Sequence, residues 1–296
     1  MSITLRTPLP AARALSRLRV WKDLPILPLA ILVPFVLVAV FAGLIAPYDP
    51  TEPIPGAKIF EPPFWSAGGS VHALLGTDFQ ARDVLSRLIF GARVSLIVGI
   101  MGTIVAGSIG TTLGILAGYL GGWVDQVIMR VTDAWLALPA LVFAIFLATM
   151  VGPSMWNIII ILGLVYWTRY ARVIRGEVLS LREREFIKLA EIAGASRARV
   201  ILRHVLPNVL NSAMVLASLT IGVVIIAEAS LSFLGVGVPP PEPAWGSMLA
   251  DGRSMLMVGA WWLTVLPGLG IMVVVLATQL LGDWLRVHLD PQLRNL

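Results

Sequence analysis

EFIKLAEIAGASRARVILRHVLPN (185–208) is an amphipathic stretch set between two strongly apolar ones, and it divides at a single glycine. In its first arm Phe186, Leu189, Ala190 and Ala193 recur at i, i+3, i+4 and i+7, the repeat of one helix face. In the second, Ala198, Ile201, Leu202 and Val205 repeat that spacing, with Arg199 and Arg203 on the opposite side. Gly194 lies between the arms, where a chain turns sharply at little steric cost, and Ser196 is placed to cap the second arm. Pro207 lacks an N–H and marks a boundary, the start of the next helix. Two short amphipathic helices bent at a glycine suggest a knob presented to a partner protein. Spacing alone leaves a second reading open, a basic loop skimming lipid headgroups.

The flanks narrow the choice. Of 296 residues 57% are hydrophobic and 13% charged, too few charges for a soluble domain of this size. The expected class is an all-α, polytopic membrane protein. There is no cysteine, which excludes disulfides, thiolate metal sites and a cysteine nucleophile. His72, His204 and His288 lie far apart and form no ligand-spaced cluster. The net charge of +5 is read as a report of membrane topology and not of nucleic-acid binding.

Working outward, residues 1–25 carry five basic residues and form a tail. Ile26 to Ala46 is free of charge for 21 residues, enough to cross a hydrocarbon core of about 30 Å. Pro47 to Thr77 is rich in Pro and Gly and irregular; residues 82–93 read as a short helix in the membrane interface, closing an extracytoplasmic segment 47–93. A five-helix core over 94–281 follows. Its second span, Val94 to Leu120, holds Gly99, Gly102, Gly107, Gly110 and Gly114, small residues that favour close packing in a bundle. Residues 121–133 form a short connection. Ala134 to Val151 is a third span kinked or broken near Pro139, and Met155 to Thr168 a short fourth. A basic loop over 169–206 leads to Val209–Leu234, an irregular segment over 235–253, the last span Leu256–Leu281 and a tail over 282–296. With both termini in the cytoplasm, 17 of the 22 basic residues fall in inner segments, nine of them in 169–206. Six spans obey the positive-inside rule.

The missing chemistry is informative too. No lysine follows a glycine, so there is no P-loop, and neither G-x-S-x-G nor HExxH occurs. Glu228 is the one ionisable residue well inside a span, near its outer end. It is either a substrate or proton site, or a carboxylate hydrogen-bonded to a neighbouring helix or reaching the interface. A bundle without its own energy-coupling site fits a conduit driven by a separate motor, and a motor-less channel fits nearly as well.

The central stretch resembles the EAA loop of ABC importer permeases: Lys188-Leu189-Ala190, then Gly194, then His204-Val205-Leu206-Pro207, at the family's spacings. Lys188, Leu189 and His204 depart from its usual Glu, Ala and Ile. LLGTDFQARDVLSRLIFGARVSL (74–96), EASLSFLGVGVPPPEPAWGSML (228–249) and WWLTVLPGLGIMVVVLATQLLGDWLRVHLDP (261–291) resemble the dipeptide, oligopeptide and nickel permease family, C-type subunit, in the same order. The resemblance implies a type I ABC importer permease in a bacterial cytoplasmic (inner) membrane. It further implies a homologous B-type permease, two cytoplasmic ATPase subunits, an extracytoplasmic substrate-binding protein and a peptide cargo, with nickel chelates or another small solute as the alternative. No cofactor is expected on this chain; ATP and Mg belong to the ATPases. By the same resemblance Glu185, Lys188, Leu189, Ala190, Gly194, Ala195, Ser196, Arg199, Arg203, His204, Leu206 and Pro207 form the ATPase-coupling region. Lys188 stands where the family has Glu, so no salt bridge is carried over from that position. The glycines of the second span and a break at Pro267-Gly268 are candidates for lining the pathway.

Overall fold

A computed structural model describes residues 25–289. Of the expected cytoplasmic tails, residues 1–24 and 290–296 lie outside the described residues, while 282–289 are helical. The first element, α1 (Ile26–Val40), stops at Phe41 and resumes as α2 (Ala42–Ile45). A cap over 46–83, held by turns and two isolated bridges, leads into α3 (Val84–Leu120). Then come α4 (Gly122–Leu136), α5 (Ala140–Val151) and α6 (Met155–Arg182). The elbow is α7 (Glu185–Ile192) and α8 (Arg197–Val200), the latter running through a π turn into α9 (Leu206–Phe233). Helices α10 (Trp245–Arg253) and α11 (Trp262–Leu289) close the chain.

Among the described residues four helices are long and apolar enough to cross a membrane: Val84–Leu120, Met155–Arg182, Arg197–Phe233 and Trp262–Leu289. A fifth span is available if α4 and α5 are one, bent by 91° at Ala137–Pro139, where the kink near Pro139 was expected. The expected first span, Ile26 to Ala46, is occupied by α1 and α2, which are shorter than the other long helices.

Several boundaries move. The interfacial helix at 82–93 and the span after it are one 37-residue helix: Asp83 caps it, accepting from the Ser86 N–H, and Asp83 and Arg87 are buried instead of lying among headgroups. The connection 121–133 is helical, and α6 runs fourteen residues beyond Thr168, because its inner half keeps packing on α3. Residues 245–253 are helical within the segment expected to be irregular. Pro267 sits inside α11 without breaking it, so the expected break at Pro267-Gly268 is not formed.

The bundle is organised on the α3–α6 contact. A Cβ added at Gly110 would lie 2.2 Å from the Trp167 carbonyl oxygen, at Gly114 2.8 Å from that of Ala171, and at Gly118 2.8 Å from the Val178 Cβ. These three glycines, four apart, form a groove that seats α6, as small residues do where apolar lipid gives helices no hydrophobic drive to associate. Higher up, Gly99 meets Ile225 and Gly102 meets Val224 on α9.

At the other end the cap is fastened by buried charge. Asp78 pairs with Arg82 at 2.7 Å and Arg87 at 3.5 Å, while Arg87 also reaches Asp251 on α10 at 3.8 Å and donates to the Pro50 carbonyl. Burial pushes the Asp251 carboxyl up, and the Arg87 charge opposes it. Trp262 donates to the Thr77 carbonyl and Trp245 to that of Leu88, so both terminal elements grip the cap and α3. Arg87→Met keeps the volume but strands Asp251 and Pro50. It should cost about 3 kcal/mol, seen as faster protease cleavage within 47–83 of the purified chain.

Candidate functional site: the elbow between the fourth and fifth long segments

The turn at the elbow is built from local backbone chemistry. Helix α7 ends with the Gly194 N–H on the Glu191 carbonyl (3.0 Å) and the Ala195 N–H on that of Ala190 (3.0 Å). This crossed pair of bonds needs a left-handed residue at its centre, and Gly194 has φ +81°. Space does not select glycine there, since nothing lies within 4 Å of an added Cβ; conformation does. Ser196 is extended and accepts from the Arg199 N–H at 3.4 Å, opening α8 as the capping argument expects.

Pro207 lies in the first turn of α9, as its missing N–H leads one to expect, but no gap precedes it. Arg197 to Phe233 is one continuous 37-residue rod, widened into a π turn at Ile201–Val205. The physical reason is the missing N–H: Pro207 has nothing to donate to the Arg203 carbonyl, and the Leu206 N–H reaches back to Ile201 instead. Asn208 donates its side-chain amide to the His204 carbonyl at 2.6 Å, satisfying a group in the widened turn.

The apolar residues of each arm fall on two sides, not one. Ile187, Val200, Val205 and Val209 are fully buried with Ile115 and Tyr119 of α3 and Ile174 and Val178 of α6, and Ala190, Ala195, Ile201 and Leu206 pack around them. Phe186 (43% exposed), Leu189 (63%), Ile192 (82%) and Leu202 (65%) face away. The spacing reading had grouped Phe186 and Leu189 with Ala190. Ile187, the actual anchor, was missed because both sides of a short helix carrying this many apolar residues look alike until its neighbours are known. The Phe186 ring lies 6.3 Å from that of His204, joining the outward sides of the two arms.

Charge completes the surface. Lys188 pairs with Glu183 at 2.9 Å, so its ammonium is engaged within the chain; the hydrogen bond and then the charge hold the Glu183 carboxyl below its ordinary range. The Tyr119 hydroxyl donates to Glu191 at 2.8 Å, tying the elbow to the end of α3. Glu183, Glu191 and Tyr119 were not anticipated, and the 72 residues between the last two left no local signal. Glu185 opens α7, where a carboxylate suits the positive end of the helix. Arg197, Arg199 and Arg203 are exposed and form no ion pair among the described residues.

The elbow is thus fixed firmly on its inner side, and its outer side presents apolar side chains beside guanidinium groups that have no ion-pair partner among the described residues. Among the described residues no group of His, Asp and Glu is arranged to hold a metal. Residues 110–295 match the model of the binding-protein-dependent transport system inner membrane component. The chain belongs to that family. It is therefore a non-catalytic permease component of an ABC-type import system, sited in an inner membrane.

Relatives cover most of the chain. It is 42% identical over 257 residues to the di/tripeptide transport system permease protein DppC of Pseudomonas aeruginosa, covering 87% of this chain and 84% of that one. It is 43% identical over 258 residues to the dipeptide transport system permease protein DppC of Escherichia coli, covering 87% and 85%. The glutathione transport system permease protein GsiD of Pectobacterium atrosepticum is 40% identical over 258 residues, covering 87% and 83%.

Proposed function

We propose that this permease carries short peptides, crosses the bacterial cytoplasmic membrane six times with both termini in the cytoplasm, and takes its work through the elbow. The sixth crossing is α1 with α2, whose 20 positions from Ile26 to Ile45 reach about 30 Å as helix. A homologous B-type permease completes the pathway, two ATPase subunits hold ATP and Mg on the cytoplasmic side, and a substrate-binding protein delivers peptide from outside. The peptide cargo is supported by the names of the relatives above.

One observation carries the coupling role: Phe186, Leu189, Ile192 and Leu202 stand exposed on an elbow whose other side is sealed into the bundle. Apolar residues held outward by a rigid mount, ringed by unpaired arginines, fit a groove on a partner with acidic edges. Because the chain has no cysteine, Ile192→Cys is a unique handle. In the complex purified with its partner subunits and active in ATP-driven dipeptide uptake, a short cross-linker reacting with a thiol at one end and with lysine amines at the other should join position 192 to an ATPase subunit. Nucleotide should alter the yield. Cross-linking to the binding protein, or to nothing while uptake proceeds, would place the elbow on the wrong side.

A further inference from the structure

Glu228 is fully buried in α9 and makes no ion pair among the described residues. One carboxylate oxygen accepts from the Ser232 hydroxyl at 2.7 Å; the other lies 3.5 Å from the Ser95 hydroxyl of α3. The relay continues outward, for the Ser232 oxygen accepts the Val238 N–H at 3.2 Å. Beyond α9 the chain turns at Gly235 (φ +81°) and folds back so tightly that a Cβ at Gly237 would lie 2.1 Å from the Ser232 hydroxyl oxygen. The start of α10 is pressed on the same region, with a Cβ at Gly246 falling 2.1 Å from the Ala229 carbonyl oxygen.

A buried carboxylate with only hydroxyl partners, one of which holds the backbone of the next loop, has the geometry of an anchor. We propose that Glu228 is a positioning residue: through Ser232 it sets the path of the 235–243 loop, and with it the seat of α10. Since Arg197–Phe233 is one rod, the elbow and this loop move as the two ends of a single lever. This rests on the coupling role of the elbow. A site for substrate or a travelling proton would instead need its carboxylate open to a path, and Glu228 has no exposed surface.

The test uses the cysteine-free chain with Glu242→Cys, an exposed loop position carrying a spin label, in the complete transporter. Glu228→Leu and Ser232→Ala should each free the label and reduce peptide uptake about fivefold, as loss of a buried hydrogen bond does. The two changes together should do little more than one. Glu228→Gln keeps an acceptor for Ser232 and should restore both label order and uptake to near wild type. Glu228→Gln failing like Glu228→Leu would show that the charge or proton matters and would overturn the anchor. So would Ser232→Ala leaving label and uptake untouched, a result that still counts if Glu228→Leu does not fold. Label order needs no transport, so a wild-type complex that holds the loop but moves no peptide would count against the permease reading alone.

Discussion

Gly110→Leu should leave almost no assembled transporter in the membrane, while Gly176→Leu on the facing helix should assemble as wild type. At Gly110 even a Cβ would lie 2.2 Å from the Trp167 carbonyl oxygen and 2.5 Å from the Tyr170 Cβ, so backbone opposes backbone and no rotamer relieves the overlap. At Gly176 nothing lies within 4 Å. Overpacking a well-filled core costs about 1–3 kcal/mol where side chains can yield; here the two helices must separate, and the loss extends along the glycine groove. The cluster that buries Ile187, Val200 and Val205 rests on the same helix pair, so the elbow should lose its mount as well. Western detection of full-length chain in membranes, with co-purification of partner subunits, reads the outcome. Wild-type amounts of assembled Gly110→Leu would mean that α3 and α6 do not meet as described.

This groove was legible in the sequence because repeated small residues inside an apolar span have few uses other than close approach. The elbow turn was legible for a similar reason: Gly194 and Ser196 act within a few residues of themselves, through φ and through one cap. What stayed hidden depends on distant partners. Arg87 and Asp83 read as interfacial polar residues, yet they are buried because Asp78, Asp251 and Ser86 are folded onto them. The start of α3 was therefore placed ten residues late, at the last charge in place of the Asp83 cap. Pro207 read as the start of the next helix and does lie in the first turn of α9, but the π turn over Ile201–Val205 that joins α8 to it without a gap left no local signal. Glu228 was recognised as unusual, but its partners decide its role, and Ser95 lies 133 positions away.

The elbow prediction separates folding from coupling. Leu189→Asp with Ile192→Asp should abolish ATP-driven uptake while leaving the bundle intact. Both side chains are mostly exposed, at 63% and 82%, so little packing is lost. The added carboxylates sit toward the C-terminal end of α7 and should cost only about 0.5 kcal/mol each there. At the centre of a protein contact, by comparison, one apolar anchor is worth about 2 kcal/mol or more. Charging two of them should weaken ATPase docking by more than about a hundredfold. The arginines at 197, 199 and 203 do not rescue the pair, because they ring the contact and the new carboxylates would be desolvated at its centre. The expected picture is a chain that extracts, elutes and melts like wild type, still pairs with its partner permease, and no longer retains ATPase subunits. Normal retention and uptake would assign coupling to another surface. A chain that fails to fold would mean that Leu189 and Ile192 are packed within the bundle, contrary to their exposure.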